Sequence, residues 1–190
     1  GTMIKTLGGE IDVADIAQGH VILTRDNGHQ PVRWVGAKQL SAKDIAANPS
    51  LQPIRIAKGA LGCGLPKRDM MVSPQHRLVM SGHAIELLFG QDEVLAAATH
   101  LVGHPGISRV CPQAGVTYVH IMFDQHEIVY AEGAASESFF PGGTGLNAVE
   151  EEAREELFSL FPELRSHDGA YGDTARLCLK AHESRLLRLG

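Results

Sequence analysis

Glycine and proline interrupt the first 140 residues so often that no apolar run there outlasts a short strand. Such punctuation restricts this part of the chain to brief extended elements joined by turns. Residues 20–26 and 30–35 are strand-like and flank Asn27-Gly28, a dipeptide in which both residues tolerate positive φ, so a hairpin is expected. Further strands are expected at 53–57, 69–72, 84–89 and 93–98. A last strand pair, 116–123 and 126–131, is expected to turn at Asp124-Gln125. One short helix should open at Ser41, with Asp44 three residues on completing a capping box, and end before Pro49. Short strands at this spacing build a mainly β domain and not alternating βαβ units.

The character changes after residue 140. Asn147 can cap a helix whose apolar positions Val149, Ala153, Leu157, Leu160 and Phe161 fall three or four apart, with acidic residues at its start and Pro162 at its end. A second helix is expected over 174–187. The organisation predicted is a β domain at 1–140 followed by a helical C-terminal extension at 141–190, with no internal repeat at a fixed period.

Several function classes are excluded by charge and hydropathy. A net charge of -5 with no basic run gives no electrostatic footprint for nucleic acid. No apolar stretch approaches the roughly 20 residues that span a bilayer, and the N-terminus lacks a signal peptide's basic and apolar regions. A soluble protein is expected, with the compartment left open: cytoplasmic, or exported as part of a larger protein. Cys63, Cys111 and Cys178 form neither a C-x-x-C pair nor a zinc-ligand spacing. His100 and His104 are four apart, but Gly103 and Pro105 argue against the helix that would aim both at one ion. Neither a metal nor a cofactor is expected. His120 shares a strand face with Tyr118 and Met122 and reads as a core histidine, and Trp34 and Tyr118 read as packing aromatics.

The chemistry is carried by two separated segments. One is Gly1-Thr2-Met3-Ile4-Lys5-Thr6, followed by Gly9, Ile11-Asp12-Val13-Ala14-Asp15-Ile16, Gly19 and the run from Val21 to Gly28. The other is Val72-Ser73-Pro74-Gln75-His76-Arg77, which places a hydroxyl and a histidine three positions apart. With Tyr118 to Glu127 and Glu132 to Gly142 they form an ordered set that resembles the Hint (Hedgehog/intein) domain family. The resemblance covers essentially the whole chain, is similar to a bacterial subfamily in which a helical tail recurs, and departs from the usual opening block at His20, where aspartate is common.

That resemblance implies a Hint-like β fold and a self-processing activity. In the family a thiol attacks the carbonyl of the preceding residue, an N-to-S acyl shift that splits a resonance-stabilised amide through a thioester. His76 would be the general acid that protonates the departing nitrogen, and Ser73 the group that holds the scissile amide or its developing oxyanion. Asp124 and His126 lie where the family's later block sets polar groups beside the site. The implied partners are the chain's own N-terminal flanking polypeptide and a water, amine or other small nucleophile as acyl acceptor.

Two departures qualify the implied reaction. The family's cysteine precedes the glycine in a C-x-x-x-G-T pattern, whereas this sequence starts at the glycine, so the form given is expected to be inactive. None of Asn27, Asn48 and Asn147 follows a histidine, so splicing of two flanks is not expected. The competing expectation is a catalytically dead Hint-like fold serving as an interaction module. A Ser/His hydrolase is disfavoured by the lack of a G-x-S-x-G elbow.

Overall fold

The computed structural model describes residues 1–140, 155, 158, 159 and 173–188. The Asn27-Gly28 hairpin forms as expected: β3 (Val21–Leu23) pairs antiparallel with β4 (His29–Pro31), with Gly28 at φ 64°. The chain then leaves this hairpin. β5 (Trp34–Leu40) instead pairs along its full length with β11 (Val116–Met122) in a separate two-stranded sheet. Between them α1 (Ala42–Ala47) has the predicted capping box, with Ser41 and Asp44 satisfying each other's backbone N–H.

The main sheet is assembled from distant segments. β1 (Met3–Thr6) pairs with β2 (Gly9–Asp12), with β3 and with β12 (Ile128–Ala131). β12 turns tightly into β13 (Ala134–Glu137) through Glu132 at φ 50° and Gly133 at φ 79°, two successive positive values that match the twist of a two-residue hairpin. β13 meets β8 (Arg77–Ser81), which pairs with β9 (Glu93–Ala97). A third sheet holds β6 (Ile54–Ile56) between β7 (Met70–Val72) and β10 (Ile107–Arg109). Ile22, Ile54, Ile56, Leu78, Val94 and Leu101 are fully buried where the main and third sheets close on each other. Among the described residues no helix is long and apolar enough to cross a membrane.

Three expectations about elements are corrected. Residues 84–89 are not a strand but lie in α2 (His83–Phe89), which links β8 to β9. The apolar run alternates ambiguously, but only Ile85 and Phe89, four apart, meet the core, and Leu87 and Leu88 stay exposed. Gly90 at φ 63° ends the helix, its N–H donating to the Glu86 carbonyl. The segments 116–123 and 126–131 are not a hairpin, because β11 and β12 belong to different sheets and Asp124-Gln125 merely carries the chain between them.

The helix expected over 174–187 is mostly replaced by other structure. β14 (Leu177–Cys178) adds parallel to β9, and only Ala181–Ser184 is helical. The exposed edge of β9 offers hydrogen-bonding groups to this segment, and Leu179 and Leu187 reach the main core. The helix expected from Asn147 to Phe161 lies almost wholly outside the described residues.

Candidate functional site

β7 is the edge strand of one sheet and β8 lies within another, and the four residues between them, Ser73 to His76, make the crossing. The turn is held by its own backbone, the His76 N–H donating to the Ser73 carbonyl at 3.2 Å. The segment after β9 holds it too: Ala98 N–H donates to His76 O and Thr99 N–H to Pro74 O, both at 2.9 Å. Pro74, with no N–H to satisfy, suits such a corner.

This corner opens on a cavity of about 660 Å³ where all three sheets meet. Ser73, His76, His120, Ser136 and Glu137 line it, and so do Gly1 and Thr2. The first residues are anchored there by the β12–β13 turn. Met3 N–H donates to the Glu132 carboxylate at 2.7 Å, and Glu132 N–H donates back to the Met3 carbonyl at 2.8 Å. Arg68 binds the same carboxylate at 2.5 Å and also reaches the Gly1 carbonyl at 3.2 Å. That guanidinium holds the Glu132 carboxyl below the usual carboxylate range.

His76 Nε2 lies 2.5 Å from the Ser136 hydroxyl. Burial lowers the pKa of His76, opposed by the charge of Glu137, so the ring favours its neutral form. His120 packs edge-on against Phe139 with ring centroids 5.9 Å apart, and burial pulls its pKa down to about 4. The Ser73 hydroxyl is buried and has no hydrogen-bond partner among the described residues. A buried hydroxyl without a partner is costly, and its position on the cavity wall leaves it for whatever enters.

Glu137 is the charged centre of the cavity wall. It accepts the Arg77 backbone N–H at 2.7 Å and lies 3.3 Å from Nη1 of the same residue. Burial pushes this carboxyl up, but Arg77, His126 and His76 more than offset that and bring it to about 2. His126 sits behind it, wholly buried, with Nε2 3.4 Å from Glu137.

Of the four residues singled out in the sequence, Ser73 and His76 therefore share the cavity, and His126 touches it through Glu137. Asp124 is not brought there. It is two-thirds exposed and pairs with Arg33 at 2.7 Å on the surface. The expectation for Asp124 rested on the family's later block, which sets polar groups beside the site; here Asp124 is exposed on the surface while His126 is buried.

Ser136, Glu137 and Arg77 were not found from the sequence, because short strands give no sign of which residues meet across 60 positions. His120, read as a core histidine, is enclosed as expected but lines the cavity. Among the described residues no group of three or more His, Cys, Asp or Glu side chains converges so as to hold a metal ion.

Comparison with known proteins gives one family and a small set of structures. The family model described as the Hint domain matches residues 1–143. A crystal structure of the MchDnaB-1 intein is similar at a TM-score of 0.44 and 12% identity, over 73% of this chain and 96% of that one. A variant of the same intein gives 0.46 and 11%, again over 73% of this chain and 96% of that one. The Msm DnaB1 intein splicing domain bound with zinc gives 0.40 and 12%, over 71% of this chain and 95% of that one. No curated protein matches.

Proposed function

Since the chain belongs to the Hint-domain family, a family of self-processing domains, we propose that it is an autocatalytic module that cleaves a peptide bond on the N-terminal side of Gly1 by an acyl shift. The observation that carries this is the meeting of Gly1 and Thr2 with Ser73 and His76 on one cavity, although some 70 residues separate them in the chain. A polypeptide entering before Gly1 reaches the same wall as the neutral imidazole and the unpartnered hydroxyl.

In the proposed reaction a thiol from that preceding segment attacks the carbonyl carbon of the residue before it. The thiol's proton passes to neutral His76, the C–N bond breaks, and His76 delivers the proton to the departing nitrogen. Atoms balance within the chain, and the thioester is then resolved by water or another small nucleophile. The low pKa of His76 suits this shuttle, because a ring that holds no extra proton at rest can accept one and release it readily. Ser73 donates to the carbonyl oxygen as it gains charge, a contact typically worth roughly 3 kcal/mol. Ser136 keeps the His76 ring in place through the 2.5 Å hydrogen bond.

The test is intact mass of the chain joined to the residues that precede Gly1 in its gene, with and without hydroxylamine or a thiol, beside His76→Ala. Time-dependent release of the upstream segment, hastened by nucleophile and lost in His76→Ala, is the expected result. A precursor that stays whole under every condition would remove the processing reading and leave the interaction module.

A further inference from the structure

The His126 ring is pinned from three directions. It stacks on Phe140 at a centroid separation of 4.8 Å. Its Nδ1 accepts the Ala175 N–H at 3.0 Å, and its Nε2 faces Glu137 Oε2 at 3.4 Å. A ring nitrogen that accepts a hydrogen bond carries no hydrogen, so the ring's hydrogen lies on Nε2, the nitrogen on the Glu137 side. The Ala175 contact comes from the far end of the chain. The segment bearing Ala175 is itself fastened: Arg176 binds Glu93 at 2.9 Å and Asp26 at 2.7 Å, β14 pairs with β9, and Leu179 N–H donates to Leu95 O at 2.8 Å.

We propose that Glu137 is a positioning residue for the Ser73/His76 cavity, held in place by His126, whose tautomer is set by the backbone of Ala175. Residues 173–188 are then a working part of the site and not an appendage to it. The proposal rests on the processing reading above for its purpose, but not for its geometry.

The physical reason lies in what a buried carboxylate does without fixed donors. Arg77 alone holds Glu137 from one side, through its backbone N–H and guanidinium. The His126 ring packs against the other side with Nε2 3.4 Å from the carboxylate, a contact longer than an aligned hydrogen bond, and so confines it beside the strand residue, Ser136, that bonds His76. A fixed negative charge there steadies the imidazolium that His76 becomes while it holds the nucleophile's proton, much as an orienting carboxylate does behind a catalytic histidine. The other titratable groups facing His76 are Arg77, His126 and His120. Ala175 acts only by fixing which nitrogen of His126 bears hydrogen.

The experiment is nitrogen-15 NMR of the full chain, which needs no cleavage. It reads the tautomer of His126 and the titration midpoint of His76 in wild type, Ala175→Gly, Ala175→Pro and Glu137→Gln. Wild type and Ala175→Gly, which keeps the amide, are expected to show His126 protonated on Nε2 alone. Ala175→Pro removes the donor and should give mixed tautomers. It should also lower the His76 midpoint by about half a unit or more, in the direction that Glu137→Gln moves it.

Arg176→Ala, which loosens the strap without touching the amide, should shift the same tautomer signal if Ala175→Pro does not fold. A wild-type ring protonated on Nδ1 overturns the proposal. So does a His76 midpoint unmoved in Glu137→Gln, or one moved there but unmoved once the Ala175 donor is gone. Absence of cleavage in the extended wild-type chain would count against the processing reading and leave these spectra to decide the relay.

Discussion

Replacing Arg77 by methionine tests the electrostatic account of the cavity wall most directly. Arg77 and Glu137 are 2% and 9% exposed, so their charges face each other with little water between them. Glu137 is drawn from 4.5 to about 2 against the opposing effect of burial, and Arg77 is the largest favourable cause. At about 1.4 kcal/mol per pH unit, that shift corresponds to about 3 kcal/mol. Breaking a buried pair by removing one partner costs about 3–5 kcal/mol, in agreement.

The sign follows from a folded pKa that lies below the unfolded one. This stabilisation is fully present above about 4.5 and is lost as pH falls from there to about 2. In Arg77→Met the burial effect dominates, and the carboxyl no longer stays charged in acid. Urea unfolding at pH 7 should show a loss of about 3 kcal/mol, with the slope unchanged, and the gap to wild type should narrow between pH 4.5 and 2. Arg77→Met combined with Glu137→Leu should recover at least half of the loss, since the uncompensated charge is then gone. A loss below about 1 kcal/mol at pH 7, or a gap as wide at pH 3 as at pH 7, would refute the reasoning.

Three further outcomes are expected. Gly115 has φ 78°, and a Cβ there would lie 2.2 Å from the Leu40 carbonyl oxygen, so Gly115→Ala should cost more than about 2 kcal/mol by chemical denaturation. Asp124→Ala removes only a solvent-exposed pair with Arg33 and should change stability by less than about 1 kcal/mol. It should also leave cleavage of the extended chain at the wild-type rate, and slowed cleavage would return Asp124 to the site. His120, whose folded pKa of about 4 lies below its ordinary 6.5, stabilises the fold above pH 6.5 and loses that contribution as pH falls towards 4. Wild type should therefore lose up to about 3 kcal/mol more than His120→Phe between pH 7.5 and 4, measured by urea titration at several pH values.

What could be read from the sequence was what local chemistry fixes. Asn27-Gly28 specifies its hairpin and Ser41 and Asp44 their cap, because each depends on residues a few positions apart. Strand partners do not. The run 116–122 looks the same whether its neighbour is β12 or β5, and only the competition among all edges decides. The same holds for residues 84–89, where alternation and a four-residue spacing coexist and the core selects the second.

The C-terminal segment carries this furthest. Its leucines fit a helix face in isolation, yet the edge of β9 and the Asp26 and Glu93 carboxylates that bind Arg176 make extension the better solution. Extension then places the Ala175 amide on His126, a contact across 49 positions that no pattern in the chain announces. The residues that do the positioning are thus the ones whose roles exist only after the sheet has closed, whereas His76, proposed to move the proton, and Ser73, proposed to steady the oxyanion, were visible before it.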